Sequence, residues 1–410
     1  MTRNRAILLG GLFLLLASPA GAETIFQEVT GRFTVEARYF PQSSIQVDQR
    51  DHSLSVVAEP EVYLENESGE GLVLKPFFRY DSADVRRTHW DIREAYGLFF
   101  GEFADSEWEL RAGIDKVFWG VAESRHLVDV INQTDLVESP EQEEKLGQPM
   151  VHLTWLNDYG TFEAFALPFF RKRTFQGLAG RLRPALHVDD DQTAYESAAN
   201  QHHLDVAGRY SKNVGVLDFG LAWFEGTNRN PVFSLGFDSE GSPVLVPFYE
   251  QMRQMSLDAQ ITTGAWLLKL ESYWRDGERD AAGLESDYLA LVGGFEYTLY
   301  GTLGGDTDLG LLVEFLYDGR DERATVVTEE DVFTALRLAF NDEASTVVLF
   351  GFIQDLDKPT RTLFLEANRR LSDNTTLGIE GSAFLNVDDQ DSQFSLRKDS
   401  FVQLDLTYHY

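Results

Sequence analysis

The chain closes on Phe401-Val402-Gln403-Leu404-Asp405-Leu406-Thr407-Tyr408-His409-Tyr410, in which Val402, Leu404, Leu406, Tyr408 and Tyr410 share one face and Gln403, Asp405, Thr407 and His409 the other. Successive side chains of a strand point to opposite sides, so this period of two describes a strand that is apolar on one side and polar on the other. Such a strand suits lipid on one face and water on the opposite one, or the last strand of a soluble sandwich. The residues upstream have to decide between the two.

Upstream the same beat recurs, with outward sets such as Phe33/Val35/Ala37/Tyr39, Leu54/Val56/Ala58/Val62/Leu64, Leu72/Leu74/Phe78/Tyr80 and Trp90/Ile92/Tyr96/Leu98/Phe100. It continues through Trp108 to Ile114, Val151 to Trp155, Phe162 to Phe170, Leu204 to Tyr210, Leu217 to Trp223, Met255 to Ile261 and Trp266 to Leu270. Leu289 to Leu299, Leu309 to Tyr317, Val332 to Phe340, Val347/Leu349/Ile353, Leu363 to Ala367 and Leu377 to Leu385 complete it. The pattern predicts about eighteen strands, or roughly sixteen if the weakly alternating residues 159 to 170 and 249 to 257 are not strands. Short links with turn chemistry, such as Asn66-Glu67-Ser68-Gly69, Asn157-Asp158-Tyr159-Gly160 and Ser372-Asp373-Asn374, alternate with long polar connections near 41 to 52, 117 to 147, 171 to 200, 226 to 248, 276 to 286, 319 to 331 and 387 to 400. A soluble sandwich has no reason for so regular an alternation.

At the other end Arg3 and Arg5 precede an apolar run from Ala6 to Ala17 and the small residues Ala20 and Ala22, the pattern of a secretory signal cut before Glu23. Residues 1–22 are therefore expected to be removed, leaving 23–410 as a single domain. No later stretch approaches the roughly 18 consecutive apolar residues of a spanning helix, so a membrane would have to be crossed by strands closed into a barrel. The chain has no cysteine, which removes disulfide and thiol chemistry, and its formal charge of −32 argues against nucleic acid as a partner.

Signal, alternating strands, turn rhythm and the terminal Tyr410 together resemble the porin-like outer-membrane barrels of Gram-negative bacteria, over essentially the whole mature chain. The resemblance implies an all-β fold: a closed antiparallel transmembrane β-barrel with short periplasmic turns, long extracellular loops and both termini periplasmic. It also implies recognition of the strand ending at Tyr410 by the barrel-assembly machinery, contact with outer-membrane lipid and lipopolysaccharide, and assembly as a monomer or homotrimer. The size matches both diffusion porins and eighteen-stranded polysaccharide-export barrels. The expected function is passive or weakly selective diffusion of small hydrophilic solutes; export or uptake of a charged polymer and a non-conducting structural barrel are the alternatives.

Selectivity in such a lumen depends on whatever narrows it and on the charges along it. The long loop from Phe118-Trp119-Gly120 through Ser124-Arg125-His126-Leu127-Val128-Asp129-Val130-Ile131-Asn132-Gln133-Thr134-Asp135 to Glu138, Glu141, Glu143, Glu144 and Lys145 carries an apolar core ill suited to bulk water. It is expected to fold inward as the pore constriction, with Arg125, His126, Asp129 and Asp135 facing Arg79, Arg93 and Arg111. Further lining residues are Lys269, Glu271, Arg275, Glu296, Glu314 and Arg337, in a lumen carrying both signs. The acidic surplus suggests mild cation preference.

Arg171, Lys172, Arg173, Arg181 and Arg183 precede Asp189, Asp190 and Asp191 in the next loop, as lipopolysaccharide clamps or as a solvated mixed-charge segment. The three Asp residues lack the glycine and terminal glutamate of a calcium loop. His152 with Thr154, and His202-His203 before Asp205, have no serine at alternating spacing. Neither an enzyme nor a bound metal or cofactor is therefore expected.

Overall fold

The computed structural model describes residues 24–139, 142–302, 304–327 and 329–410. The expected signal segment 1–22, Glu23 and Glu141 lie outside them. In chain order the strands are β1 (Thr24–Tyr39), β2 (His52–Asn66), β3 (Gly71–Asp81), β4 (His89–Phe103), β5 (Ser106–Asp115), β6 (Gln148–Asn157), β7 (Gly160–Leu167), β8 (Ala194–Tyr195), β9 (Asp205–Val214), β10 (Leu217–Thr227), β11 (Val232–Phe237), β12 (Pro243–Tyr249), β13 (Gln251–Thr263), β14 (Trp266–Asp276), β15 (Tyr288–Thr302), β16 (Thr307–Asp318), β17 (Glu330–Ala339), β18 (Val347–Asp355), β19 (Arg361–Ser372), β20 (Thr375–Leu385) and β21 (Phe401–His409). Eighteen of them form one antiparallel sheet, and β8, β11 and β12 make a separate three-stranded sheet within the loops. Each barrel strand pairs with its neighbours in the barrel, and β1 pairs with both β2 and β21, so the sheet closes and leaves no edge.

Closure lets each barrel strand pair on both sides, and alternation then sorts the side chains. On β21, Val402, Leu404, Leu406 and Tyr408 are each about half exposed (54, 47, 46 and 51 %) while Gln403, between them, is buried. A band of exposed apolar side chains of this kind surrounds the sheet, with Tyr39, Tyr80 and Trp90 toward the loop end and Phe103, Tyr159, Trp266 and Tyr300 toward the turn end. That is the surface of a transmembrane barrel, whose greasy belt is covered by acyl chains and flanked by aromatic girdles. Among the described residues no helix is long and apolar enough to cross a membrane.

Two strands differ from the sequence-based facing. In β4 the ladder shifts register, with Glu94 opposite Lys75 but Ile92 opposite Pro76, so that Arg93 is the extra residue of a bulge. The proline has no N–H to donate there, and the bulge turns the rest of the strand over. Tyr96, Leu98 and Phe100, expected outside, therefore lie on the lumen face: Leu98 pairs with Arg111, which packs over the Tyr96 ring at 5.5 Å. In β18 the run Val347-Val348-Leu349-Phe350-Gly351-Phe352-Ile353 is apolar on both faces and its alternation is uninformative. Register with Arg337 and Glu366 puts Leu349 inside, and Phe350 is 47 % exposed outside.

Candidate functional site: the loop-filled lumen

The connection between β5 and β6, residues 116–147, runs across the bore. Its apolar residues Trp119, Val128, Val130 and Ile131 are buried in one cluster with inward side chains of the wall, Met150, Phe165, Leu167, Ala222, Phe224 and Met252. Ala122 joins a second cluster with Val292, Leu312, Leu316, Phe333 and Leu349, with Leu127 packed against it. Burying each large apolar side chain contributes on the order of 1.5–3 kcal/mol, which holds this inward loop to the β6–β18 side of the barrel.

Polar contacts fix both flanks. Glu271 accepts hydrogen bonds from the backbone N–H groups of Val121, Ala122 and Val128 at 2.7, 2.8 and 3.2 Å, and Glu314 accepts from those of Glu123 and Ser124 at 2.8 Å each. Gly120 permits this approach: its φ is +147°, and a Cβ there would stand 2.9 Å from a Glu271 carboxylate oxygen. Glu123 pairs with Arg337 at 2.6 Å and Lys269 at 3.5 Å; burial pushes its carboxyl up, but these cations outweigh burial and hold it below the usual range. Arg337 in turn reaches Glu296 at 2.8 Å. On the opposite flank Asp135 is fully buried, accepting from Arg93 at 2.7 Å and Thr174 at 2.6 Å. Glu138 pairs with Arg79 at 2.7 Å, and Arg79 also meets Glu36 at 2.9 Å. Burial pushes the Glu138 carboxyl up to about 7, Arg79 pulling it down and Asp135 adding to the rise.

Of the four expected constriction residues, only Asp135 meets an expected wall partner, Arg93. Asp129 is buried on Lys145 of its own loop at 3.1 Å. His126 packs edge-on to Phe118 with 4.8 Å between ring centres, and burial lowers its pKa. Arg125 is half-buried, within electrostatic reach of Asp331 and Arg173. Arg111 is not brought to the loop's acids; it pairs with Glu109 at 2.8 Å and Asp115 at 3.4 Å. Arg275 belongs to another network at the loop-side rim, with Glu278 at 2.8 Å and Gln254 at 2.6 Å.

The next loop, residues 168–204, lies over the loop-side end. Its Leu182 packs with Phe40, Phe401 and Phe384 at the tops of β1, β21 and β20, and Arg181 pairs with Asp399 at 2.7 Å and Asp51 at 2.8 Å. Arg171 meets Asp91 at 2.8 Å and Lys172 meets Asp190 at 3.4 Å, so these members of the basic cluster have carboxylates from this chain.

What the loops leave open is a cavity of about 390 Å³ on the β1–β4 and β19–β21 side. Its lining holds eight carboxylates, Glu36, Glu59, Glu138, Glu143, Glu144, Glu366, Glu380 and Asp405, and three guanidiniums, Arg32, Arg79 and Arg93. Asp129 and Asp135 are not part of this lining. Glu366 is not among the lining residues expected from the sequence; its alternation with Leu363, Leu365 and Ala367 on β19 is the available signal.

No family model matches the chain, and no curated protein matches its sequence. Among solved structures, the chain is similar to a triple mutant of the Rhodopseudomonas blastica porin, at 11 % identity and TM-score 0.44, over 94 % of this chain and 100 % of that one. It is also similar to a loop-deletion mutant of OmpT, an outer membrane protein of Vibrio cholerae, at 10 % identity and TM-score 0.47, over 94 % of this chain and 99 % of that one. The fold assignment rests on the closed strand register itself.

Proposed function

We propose that the chain is a bacterial outer-membrane pore for small hydrophilic solutes, with the inward loop narrowing the lumen and both termini on the periplasmic side. The observation that carries this reading is the charged cavity left between the inward loop and the β1–β4 and β19–β21 wall, whose lining of carboxylates and guanidiniums suits water and hydrophilic solutes. Both ends of the described residues lie with the short turns, where the backbone of Gly31 bonds that of Tyr410 at 3.2 and 3.1 Å, which fits insertion from the periplasm. An enzyme is not proposed. His152 stacks on Phe165 at 4.1 Å and bonds Glu163 at 3.1 Å, and His203 bonds Asp205 at 2.8 Å, arrangements that pack and solvate the wall.

The seating of Leu182 over the loop-side end favours one second reading, a closed or structural barrel. Proteoliposome swelling separates the two. The pore admits small uncharged sugars at rates that fall with solute size; folded, heat-modifiable protein that admits none contradicts it.

A further inference from the structure

Residues 176–185, in the loop over the bore, are anchored at both ends on the hairpin of β11 and β12. Phe175 packs edge-on to Phe233 with 5.8 Å between ring centres, and Val188 forms a β-bridge to Leu245. Between these anchors the segment reaches the tops of β1, β20 and β21, where Leu182 seats on Phe40, Phe384 and Phe401. Beneath it lies a second cavity of about 30 Å³, lined by Arg38, Phe40, Asp81, Arg87, Arg181 and Leu182 among others. Along the inner face of β1, Arg32, Thr34 and Glu36 line the large cavity and Arg38 and Phe40 the small one, so the two are stacked with the segment as roof. Arg38 and Arg87 of the small cavity reach Gln403 and Glu36 of the large one, both at 2.6 Å, so the two meet through side chains.

The roof is held mostly by polar contacts. Asp399 accepts from Arg181 at 2.7 Å and from the Leu182 N–H at 2.8 Å, Asp51 accepts from Arg181 at 2.8 Å, and Asp84 accepts from the Gly177 N–H at 2.8 Å. Water replaces such partners once a segment lifts into solvent, so each contributes little net hold. Leu182 is buried, but Leu178 is 58 % exposed. Leu182 also has a φ of +60°, a left-handed backbone that a residue with a side chain adopts only at a cost. A strained, thinly packed segment between firm anchors has the character of a lid. We propose that residues 176–185 are a gate: turning about the anchors at Phe175 and Val188, the segment lifts Leu182 out of its aromatic seat and opens the large cavity through the small one to the outside. The inference rests on the pore reading, since a gate needs a passage to close. The seated loop and the wet cavity are then two parts of one passage in its closed state.

The chain has no cysteine, so two introduced thiols report on this segment alone. Arg50→Cys/Ala179→Cys puts one on the β1–β2 connection and one on the segment, across a backbone hydrogen bond of 3.2 Å. In planar bilayers a short bis-methanethiosulfonate joining them is expected to cut the open time at least about tenfold, and dithiothreitol to restore it, with no such loss in either single variant. Leu182→Ala is expected to raise the ratio of open to closed time at least about tenfold, the order of magnitude for losing most of one buried leucine. Heat modifiability on electrophoresis checks folding, and the cross-link decides alone should Leu182→Ala not fold. Unchanged conduction after complete cross-linking, an equal loss in the single variants, or an unchanged ratio in folded Leu182→Ala overturns the gate and leaves the pore. No conduction in any of these states contradicts the pore reading, and the gate with it.

Discussion

Glu278 is a buried carboxylate at which four donors converge: Arg275 at 2.8 Å, Arg320 at 2.9 Å, the Tyr288 hydroxyl at 2.8 Å and Thr325 at 3.2 Å. Burial alone would raise its pKa, but the two guanidiniums outweigh burial and hold it at about 2. A depressed carboxyl contributes stability that is present above its unfolded value of 4.5 and is lost as pH falls through about 2. Glu278→Gln leaves two buried guanidiniums short of a counter-charge and is expected to cost about 3–5 kcal/mol in urea unfolding of the refolded barrel, a cost that shrinks at acid pH. Glu138 runs the other way. Its raised value means a stability contribution present below 4.5 and lost as pH rises through about 7, with Arg79, Arg87, Arg93, His89 and Asp135 facing it. Reversal potentials in a salt gradient are expected to show weaker cation preference as pH is lowered from about 8 to about 6, as the side chain takes up its proton, and Glu138→Gln is expected to flatten that dependence. At this scale alternation told which charges point inward, because side-chain direction on a strand is local. It could not tell that Asp129 is spent on Lys145, because pairing within a long loop depends on a path that no local pattern encodes, whereas Glu109 and Asp115, which hold Arg111, lie on its own face of β5 and were within reach of the alternation.

At the scale of elements, the inward loop is positioned by its apolar face and latched by carboxylates of β14 and β16. The apolar run Leu127/Val128/Val130/Ile131 was legible as a segment that avoids water. Its docking face was not, since Ala222, Phe224, Leu312 and Leu316 alternate with equally apolar outward residues and read as strands greasy on both sides. Glu271→Gln together with Glu314→Gln is expected to loosen the loop and enlarge the mean single-channel conductance, because an amide offers one acceptor oxygen where the carboxylate offered two. Gly120→Ala is expected to act in the same direction through the clash with Glu271. The bulge at Arg93 makes a separate prediction. Phe99 faces outward and Leu98 the lumen beside Arg111, so Phe99→Arg costs up to about 2–4 kcal/mol depending on its depth in lipid, while Leu98→Arg costs markedly less; equal costs in urea unfolding would contradict the register shift.

For the whole molecule, the strand count and the alternation of short and long connections were readable because both follow from a period of two and from turn chemistry, which are local. The eighteen expected strands match the eighteen of the barrel, including the weakly alternating β7. What local pattern does not carry is how far the loops fill the bore: the two apolar clusters gather one side of the lumen into a packed mass and leave the acid-lined cavity on the other. The division of the lumen into a filled half and a wet half is the central claim. Planar-bilayer recording of the wild type beside the Glu271→Gln/Glu314→Gln variant tests it most directly. Stable steps of small unitary conductance in the wild type, growing severalfold in the variant, are the predicted result; steps already those of an unobstructed eighteen-strand bore and unchanged in the variant would contradict it.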